Sequence, residues 1–205
     1  MSDPVAPGTP PAFYPSNAPV PATLETPEFR LRMLRATDVE LDYAAVMASQ
    51  EHLLVRSAGR WPRDGFTLAE NLADLEGHEA EHRARIAFTY TILNPTETEC
   101  LGCVYINPLA RILERYGAPD ALPQVTDYQA VTSFWVTPPG RANDQDARLL
   151  AALRAWFDQQ WAFLWMGYIC NQNEQRHLQI YAAAGLTPQI TIDTPHEPFR
   201  FYIYA

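Results

Sequence analysis

Apolar and basic residues alternate over Phe29-Arg-Leu-Arg-Met-Leu-Arg35, the period of a half-buried strand. Thr37 or Asp38 then offers a capping oxygen for a helix predicted to end near Gln50. Gly59, Pro62 and Gly65 predict turns. From Thr67 to Arg83 the pattern is helical, with Leu68, Leu72 and Leu75 on one face, and Thr67 and Glu70 have capping-box spacing. Strand-like runs at Arg85–Leu93 and Glu99–Ile106 flank Asn94-Pro95-Thr96 and predict a hairpin. Residues 107–129 lack a strand pattern, with a short helix expected at Leu109–Tyr116.

The second half alternates strands and helices. Ala130–Val136 is a strand, and Pro138-Pro139-Gly140 interrupts the chain. Asp144–Gln160 is a helix that places Leu149, Leu150, Leu153, Trp156 and Phe157 inward. Phe163–Cys170 is a strand; Trp161, Phe163 and Trp165 recur with period two and are expected to fill the core or a sheet face. Glu174–Ala184 is a helix stopped by Gly185, and strands at Gln189–Ile192 and Pro198–Tyr204 follow. The order β-α-α-β-β-β-α-β-α-β-β implies an α/β protein: a mixed sheet with helices on both faces.

Composition narrows the function. Eight of the 18 prolines fall in residues 1–28, so this segment reads as a tail, disordered or draped over the domain, that adds little to the core, with Phe13 and Tyr14 as candidate anchors to the surface. Residues 29–205 then form a single domain. A net charge of −9 disfavours nucleic acid as a partner. All 15 basic residues are arginine, which excludes a Walker-type lysine and a Schiff-base lysine. No apolar run has the length of a membrane span and no secretory signal opens the chain, so the expectation is a cytoplasmic protein with no membrane partner. Cys100 and Cys103 form a C-x-x-C on a strand, where positions i and i+3 point apart; no metal site is expected there.

Three local features give residues 29–205 a resemblance to the GCN5-related N-acetyltransferase family. Phe134-Trp-Val-Thr-Pro138 resembles its central strand. Arg141, followed by Leu149-Leu150, resembles the ends of its cofactor loop and helix. Asn173, then Tyr181-Ala-Ala-Ala-Gly185-Leu186, resembles its Asn…Tyr-x-x-x-Gly-Phe segment. The resemblance implies an acyl-CoA N-acyltransferase-like fold: a mostly antiparallel twisted sheet of about seven strands. In it, Ala130–Val136 and Phe163–Cys170 are parallel neighbours that splay apart into a cofactor cleft. It implies transfer of an acetyl group from acetyl-CoA directly to an amine on a small molecule or peptide. Trp135, Val136, Arg141, Ala142, Asn143, Asp144, Asp146 and Asn173 are then the cofactor-binding positions. Tyr181 is the acid for the leaving thiolate, since a phenol is well matched to a thiol. Ser133, holding a water, and Asp127 are the candidates for the basic side.

The loop departs from the family's Arg-Gly-x-Gly-x-Gly/Ala pattern: it reads Arg141-Ala-Asn-Asp-Gln-Asp146. Helix N-termini bind anions through unpaired N–H groups. An aspartate near 4 Å from a phosphate costs up to about 4 kcal/mol at an effective dielectric of 20, or roughly 10³-fold in affinity. Asp144 as N-cap and Asp146 in the first turn would themselves satisfy that helix end. A non-catalytic binding or structural module on the same fold, with a homodimer left open, is therefore the alternative.

Three further signals stand beside this. His78-Glu-Ala-Glu-His82 matches H-E-x-x-H, but its charged surroundings predict a solvated helix face rather than a zinc site. His177 shares a face with Tyr181. Arg111, Arg115 and Tyr116 are candidates to line an acceptor site.

Overall fold

The computed structural model describes residues 11–121, 125–194 and 199–205. Within them one sheet has the strand order β1-β2-β3-β4-β5-β6-β8-β7. The strands are β1 (Thr23–Glu25), β2 (Arg30–Met33), β3 (Phe88–Leu93), β4 (Cys100–Pro108), β5 (Gln129–Val136), β6 (Trp165–Asn171), β7 (Pro188–Asp193) and β8 (Arg200–Tyr204). Every neighbouring pair is antiparallel except β5 and β6. The helices are α1 (Val39–Ala48), α2 (Gln50–Arg56), α3 (Leu68–Arg83), α4 (Leu109–Arg115), α5 (Pro138–Ala142), α6 (Gln145–Gln160) and α7 (Gln175–Ala183). The expected seven strands become eight because β1 adds an edge to β2.

Strand alternation sorts the core onto two faces. On one, Phe88, Tyr90, Val104, Phe134 and Val136 pack against Leu149, Leu150, Leu153 and Trp156 of α6. On the other lie two separate clusters. Leu34, Val46, Leu53, Leu75 and Trp135 form the first, beneath α1–α3. Leu109, Ile112, Val131, Ile169 and Phe201 form the second, beneath α4. Ser133, between Val131 and Trp135 on β5, sits at the gap between these two clusters.

Three expectations are corrected by packing. The buried side of α3 carries Asn71, Leu75 and His82, while Leu68 and Leu72 are exposed. His82 is therefore no solvated residue: its Nδ1 lies 3.0 Å from Thr89 O, and its ring packs on Phe88 and Tyr90. A bulge shifts the β3–β4 register between Ile92 and Leu93, so Cys100 and Cys103 fall on the same side. Gly102 permits it, with φ of 149° and an added Cβ that would meet Trp135 O at 2.0 Å. Burial pushes the Cys100 thiol up to about 12, so neither reactivity nor metal binding is favoured there.

Residues 1–10 of the expected tail lie outside the described residues, and residues 11–28 are draped over the domain and add more to the core than expected. Tyr14 is buried, its hydroxyl donates to Pro19 O at 2.9 Å, and it accepts from Ala162 N at 3.2 Å. Phe13 stacks on Phe88 at 5.2 Å. Arg85 holds Pro15 O and Ala18 O at 2.7 and 2.8 Å, and Tyr90 donates to Pro21 O at 2.6 Å. Proline carbonyls still accept hydrogen bonds, which is how a segment poor in N–H donors can be tied down. Asp127, a candidate base, accepts from Ala12 N at 2.8 Å in this same anchor.

Candidate functional site

The β5–β6 ladder runs from Gln129↔Trp165 to Thr132↔Tyr168 and stops. Each strand continues, held by β4 and β8 on its outer side. Ser133–Val136 and Ile169–Asn171 therefore part, and backbone groups facing the opening need other partners. The chain supplies them for Phe134 O: Arg56 Nη1 donates at 3.0 Å, and His177 Nε2 lies at 3.1 Å. Arg56 also reaches Glu174 Oε1 at 3.2 Å. Glu174 Oε2 accepts from Asn171 N at 2.8 Å, and Asn171 Nδ2 donates to Val55 O and Arg56 O at 2.9 and 3.0 Å. The end of α2 is thus tied across the opening to the end of β6.

Two cavities flank this tie, and Glu174 lines both. The first, of about 580 Å³, lies beyond the C-terminal ends of β5 and β6, between α2, α5 and the start of α7. Among its walls are Ser49, His52, Arg141, Ala142 and Asn173. Ser49 Oγ and His52 Nε2 are buried without a hydrogen-bond partner. Burial holds His52 down to about 4, with Arg141 and Arg56 adding to the drop, so its ring is neutral near pH 7. No carboxylate pairs with Arg141 among the described residues.

The second cavity, of about 390 Å³, opens over Ser133 on the sheet face that carries the two smaller clusters. Trp135, Arg111, Arg115 and Tyr116 line it, as do Asp42, Asn71 and Tyr105. Burial raises Asp42 to about 6; a hydrogen bond from Asn71 opposes the shift, and Asp38 and Asp74 add to it.

The loop after β5 differs from its expected form. Pro138 and Pro139 start the short helix α5 instead of breaking the chain, because proline suits a first helical turn. Asp144 follows with φ of 56° and makes no side-chain cap. It pairs instead with Arg176 at 2.7 Å. Asp146, buried in the first turn of α6, accepts from Ala147 N at 2.9 Å and takes Arg176 bidentately, at 2.7 Å from Nε and 2.6 Å from Nη2. The N-terminus of α6 already holds a carboxylate and its counter-charge.

The strand splay and the eight-strand order together decide the fold. The chain has the fold of the GCN5-related N-acetyltransferases. It superposes on a ribosomal L7/L12 α-N-protein acetyltransferase with a TM-score of 0.67 at 13% identity, covering 94% of this chain and 98% of that one. A microcin C7 self-immunity acetyltransferase in complex with acetyl-CoA and AMP gives 0.66 at 12% identity, covering 87% and 92%. A ribosomal-protein-S5-alanine acetyltransferase from Vibrio fischeri gives 0.64 at 12%, covering 90% and 95%. No protein-family model and no curated protein sequence matches the chain.

On this acetyltransferase fold the expected site residues separate. Arg141, Ala142 and Asn173 line the first cavity, and Ser133 and Trp135 the second. Val136 is buried against α6. Asn143 and Asp144 are exposed and line neither cavity. Tyr181 is fully buried, its hydroxyl unpartnered and its acidity suppressed by burial, and it reaches neither cavity. The residues not foreseen are His52, Arg56, Asp42, Asn71, Glu174 and Arg176. His52 and Arg56, four apart on one helix, carried the only spacing signal. Among the described residues no cluster of three His, Cys, Asp or Glu side chains fits a metal ion, and no helix is long and apolar enough to cross a membrane.

Proposed function

We propose that this chain is an N-acyltransferase that uses acetyl-CoA, with the donor in the cavity beside Arg141 and an amine acceptor in the cavity over Ser133. One observation carries the reading: two cavities lie beside the parted strands and share Glu174 as a common wall. Group transfer between two substrates needs two such compartments meeting at one point. When bound, the donor supplies an acyl thioester.

The donor cavity fits that group in part. Arg141, paired with no carboxylate among the described residues, offers a cation for an anionic group, and Ser49 Oγ and His52 Nε2 are buried polar atoms without a hydrogen-bond partner among those residues. The α6 N-terminus does not fit a pyrophosphate, because Asp146 and Arg176 occupy it. Arg141 therefore takes the anion-binding role that the helix end would otherwise have. Arg56 lines the acceptor cavity and Glu174 lines both, so the pair stands where the two compartments adjoin. Ser133 lines the acceptor side and is retained as the residue holding a water near the amine. Tyr181 is given no role in the proposal, since it reaches neither cavity.

A second reading, a non-catalytic binding or structural module, is favoured by one specific observation. Phe134 O, on the opened edge of β5, is capped by Arg56 and His177 rather than left for a ligand. Calorimetric titration with acetyl-CoA separates the two. The acyltransferase reading expects binding that Arg141→Ala weakens by about 10-fold or more, together with release of free thiol when amines are added. No binding and no thiol release would leave the second reading standing and remove the first.

A further inference from the structure

Four acidic side chains are buried among the described residues: Asp38, Asp42, Asp146 and Glu174. Three of them have an arginine. Asp38 pairs with Arg32 at 2.8 Å, Asp146 with Arg176 at 2.6 Å and Glu174 with Arg56 at 3.2 Å. Asp42, 4% exposed, has only the Asn71 amide, which donates at 2.9 Å. A buried carboxylate is ordinarily matched by a cation, because desolvation penalises an unmatched charge heavily.

Asn71 adds an independent observation. It is 1% exposed, and its Oδ1 is buried with no partner. The amide orientation follows from chemistry: turned over, its oxygen would face the carboxylate it now serves as donor. The pair thus presents a carboxylate and an unsatisfied carbonyl oxygen, acceptors only, and both residues line the cavity over Ser133. Trp61, Tyr105 and Trp135 supply aromatic surface in the same cavity. Acceptor oxygens beside aromatic faces suit an ammonium group, and of the arginines in the same cavity Arg56 and Arg111 are matched by Glu174 and Glu81.

We propose that Asp42 and Asn71 recognise the protonated amine of a small-molecule ligand in this cavity. The proposal deepens the acyltransferase reading and rests on it for the fate of the amine, although recognition itself needs no donor. It favours a small amine over a peptide N-terminus, because the pair is buried at the level of the α1–α3 packing rather than on an open surface.

The test compares near-isosteric probes on the full chain at pH 8, where the amines are protonated. Benzylamine and 2-phenylethylamine are titrated by calorimetry against benzyl alcohol and 2-phenylethanol. Each amine should bind at least about 10-fold more tightly than its alcohol, the size of one charge-assisted hydrogen bond. Asp42→Asn should shrink that preference to about 3-fold or less while leaving the alcohols unchanged. Asp74→Asn, at an exposed position lining the same cavity, serves as the charge control and should keep it. Wild-type protein that prefers neither amine overturns the proposal without any variant, as does an Asp42→Asn protein, folded by circular dichroism, that keeps the full preference. Acetyl-CoA is titrated separately. Amine preference without acetyl-CoA binding leaves this site standing and removes the acyltransferase reading, and the reverse result removes only this site.

Discussion

Asp146 and Arg176 close the end of α6, and a double-mutant cycle on them measures how strongly. Asp146 is 2% exposed and receives two hydrogen bonds from one guanidinium, while Arg176 is 27% exposed. Opposite charges about 4 Å apart attract by about 4 kcal/mol at an effective dielectric of 20. Partial exposure of the guanidinium lowers this, so a coupling of about 2–3 kcal/mol is expected. Arg176→Ala alone should cost about 3–5 kcal/mol, because a carboxylate is left buried without a partner. Asp146→Asn alone should cost less, since Arg176 can turn to water and to the exposed Asp144. The double variant should therefore be more stable than the sum of the two losses predicts. Urea denaturation of the four proteins near pH 7.5 gives the coupling directly. Losses that add to within about 0.5 kcal/mol would refute the ion pair as the element that closes this helix end. A second readout follows: Asp146→Asn frees a cation, so inorganic pyrophosphate should stabilise this variant more than wild type against heat.

Tyr14→Ala should cost about 3–5 kcal/mol, from a buried aromatic and two hydrogen bonds, and Tyr14→Phe about 1–2 kcal/mol, both by urea denaturation; losses under about 1 kcal/mol for both would return residues 11–28 to the status of a tail. Burial raises the folded pKa of Asp42 to about 6, above the ordinary carboxylate range, so it holds its proton more tightly when folded. Its contribution to stability is present below about pH 4 and is lost as pH rises toward 6. Asp42→Asn should accordingly gain on wild type by about 1–3 kcal/mol between pH 4 and pH 8, and a difference flat with pH contradicts the assigned burial cost. Gly102→Ala should lower stability by about 1–3 kcal/mol or more, because its methyl meets the Trp135 carbonyl; an unchanged melting temperature would mean the bulge is not fixed by that contact.

The frame of the molecule was legible because each long element carried a clear period. The strands at Phe29–Arg35 and Ala130–Val136, the Thr67 capping box and the Gly185 stop appear in the structure near their expected places. Three things were not legible, each for a physical reason. Local propensity marked Pro138-Pro139-Gly140 as a break, although proline is also at home in the first turn of a helix, and α5 begins there. Asp144 and Asp146 read as a helix cap and a first-turn charge, but nothing local announces their partner Arg176, on a helix 30 residues after Asp146. Asp42 and Asn71 are 29 residues apart on separate helices and meet only through the packing of α1 on α3. Tertiary partners of charged groups are the information that single-sequence periodicity does not contain.

The anchoring of Tyr14 sets an order of events during synthesis. Its hydroxyl accepts from Ala162 N, and its ring packs on Trp161 and Phe163, partners that lie up to 148 or 149 residues further along the chain. At about 5–20 residues per second, the socket for this side chain is completed roughly 7–30 s after the tyrosine itself is made. For that interval Tyr14 lacks Trp161 and Phe163, and only Phe88, made about halfway through it, is there for Phe13 and Tyr14 to meet. The prolines at 11, 15, 19 and 21 deny the waiting segment regular strand pairing, with itself or with a neighbouring nascent chain. Residues 11–21 thus dock late, as a strap drawn across β3 and the β5–β6 side once the sheet beneath them exists.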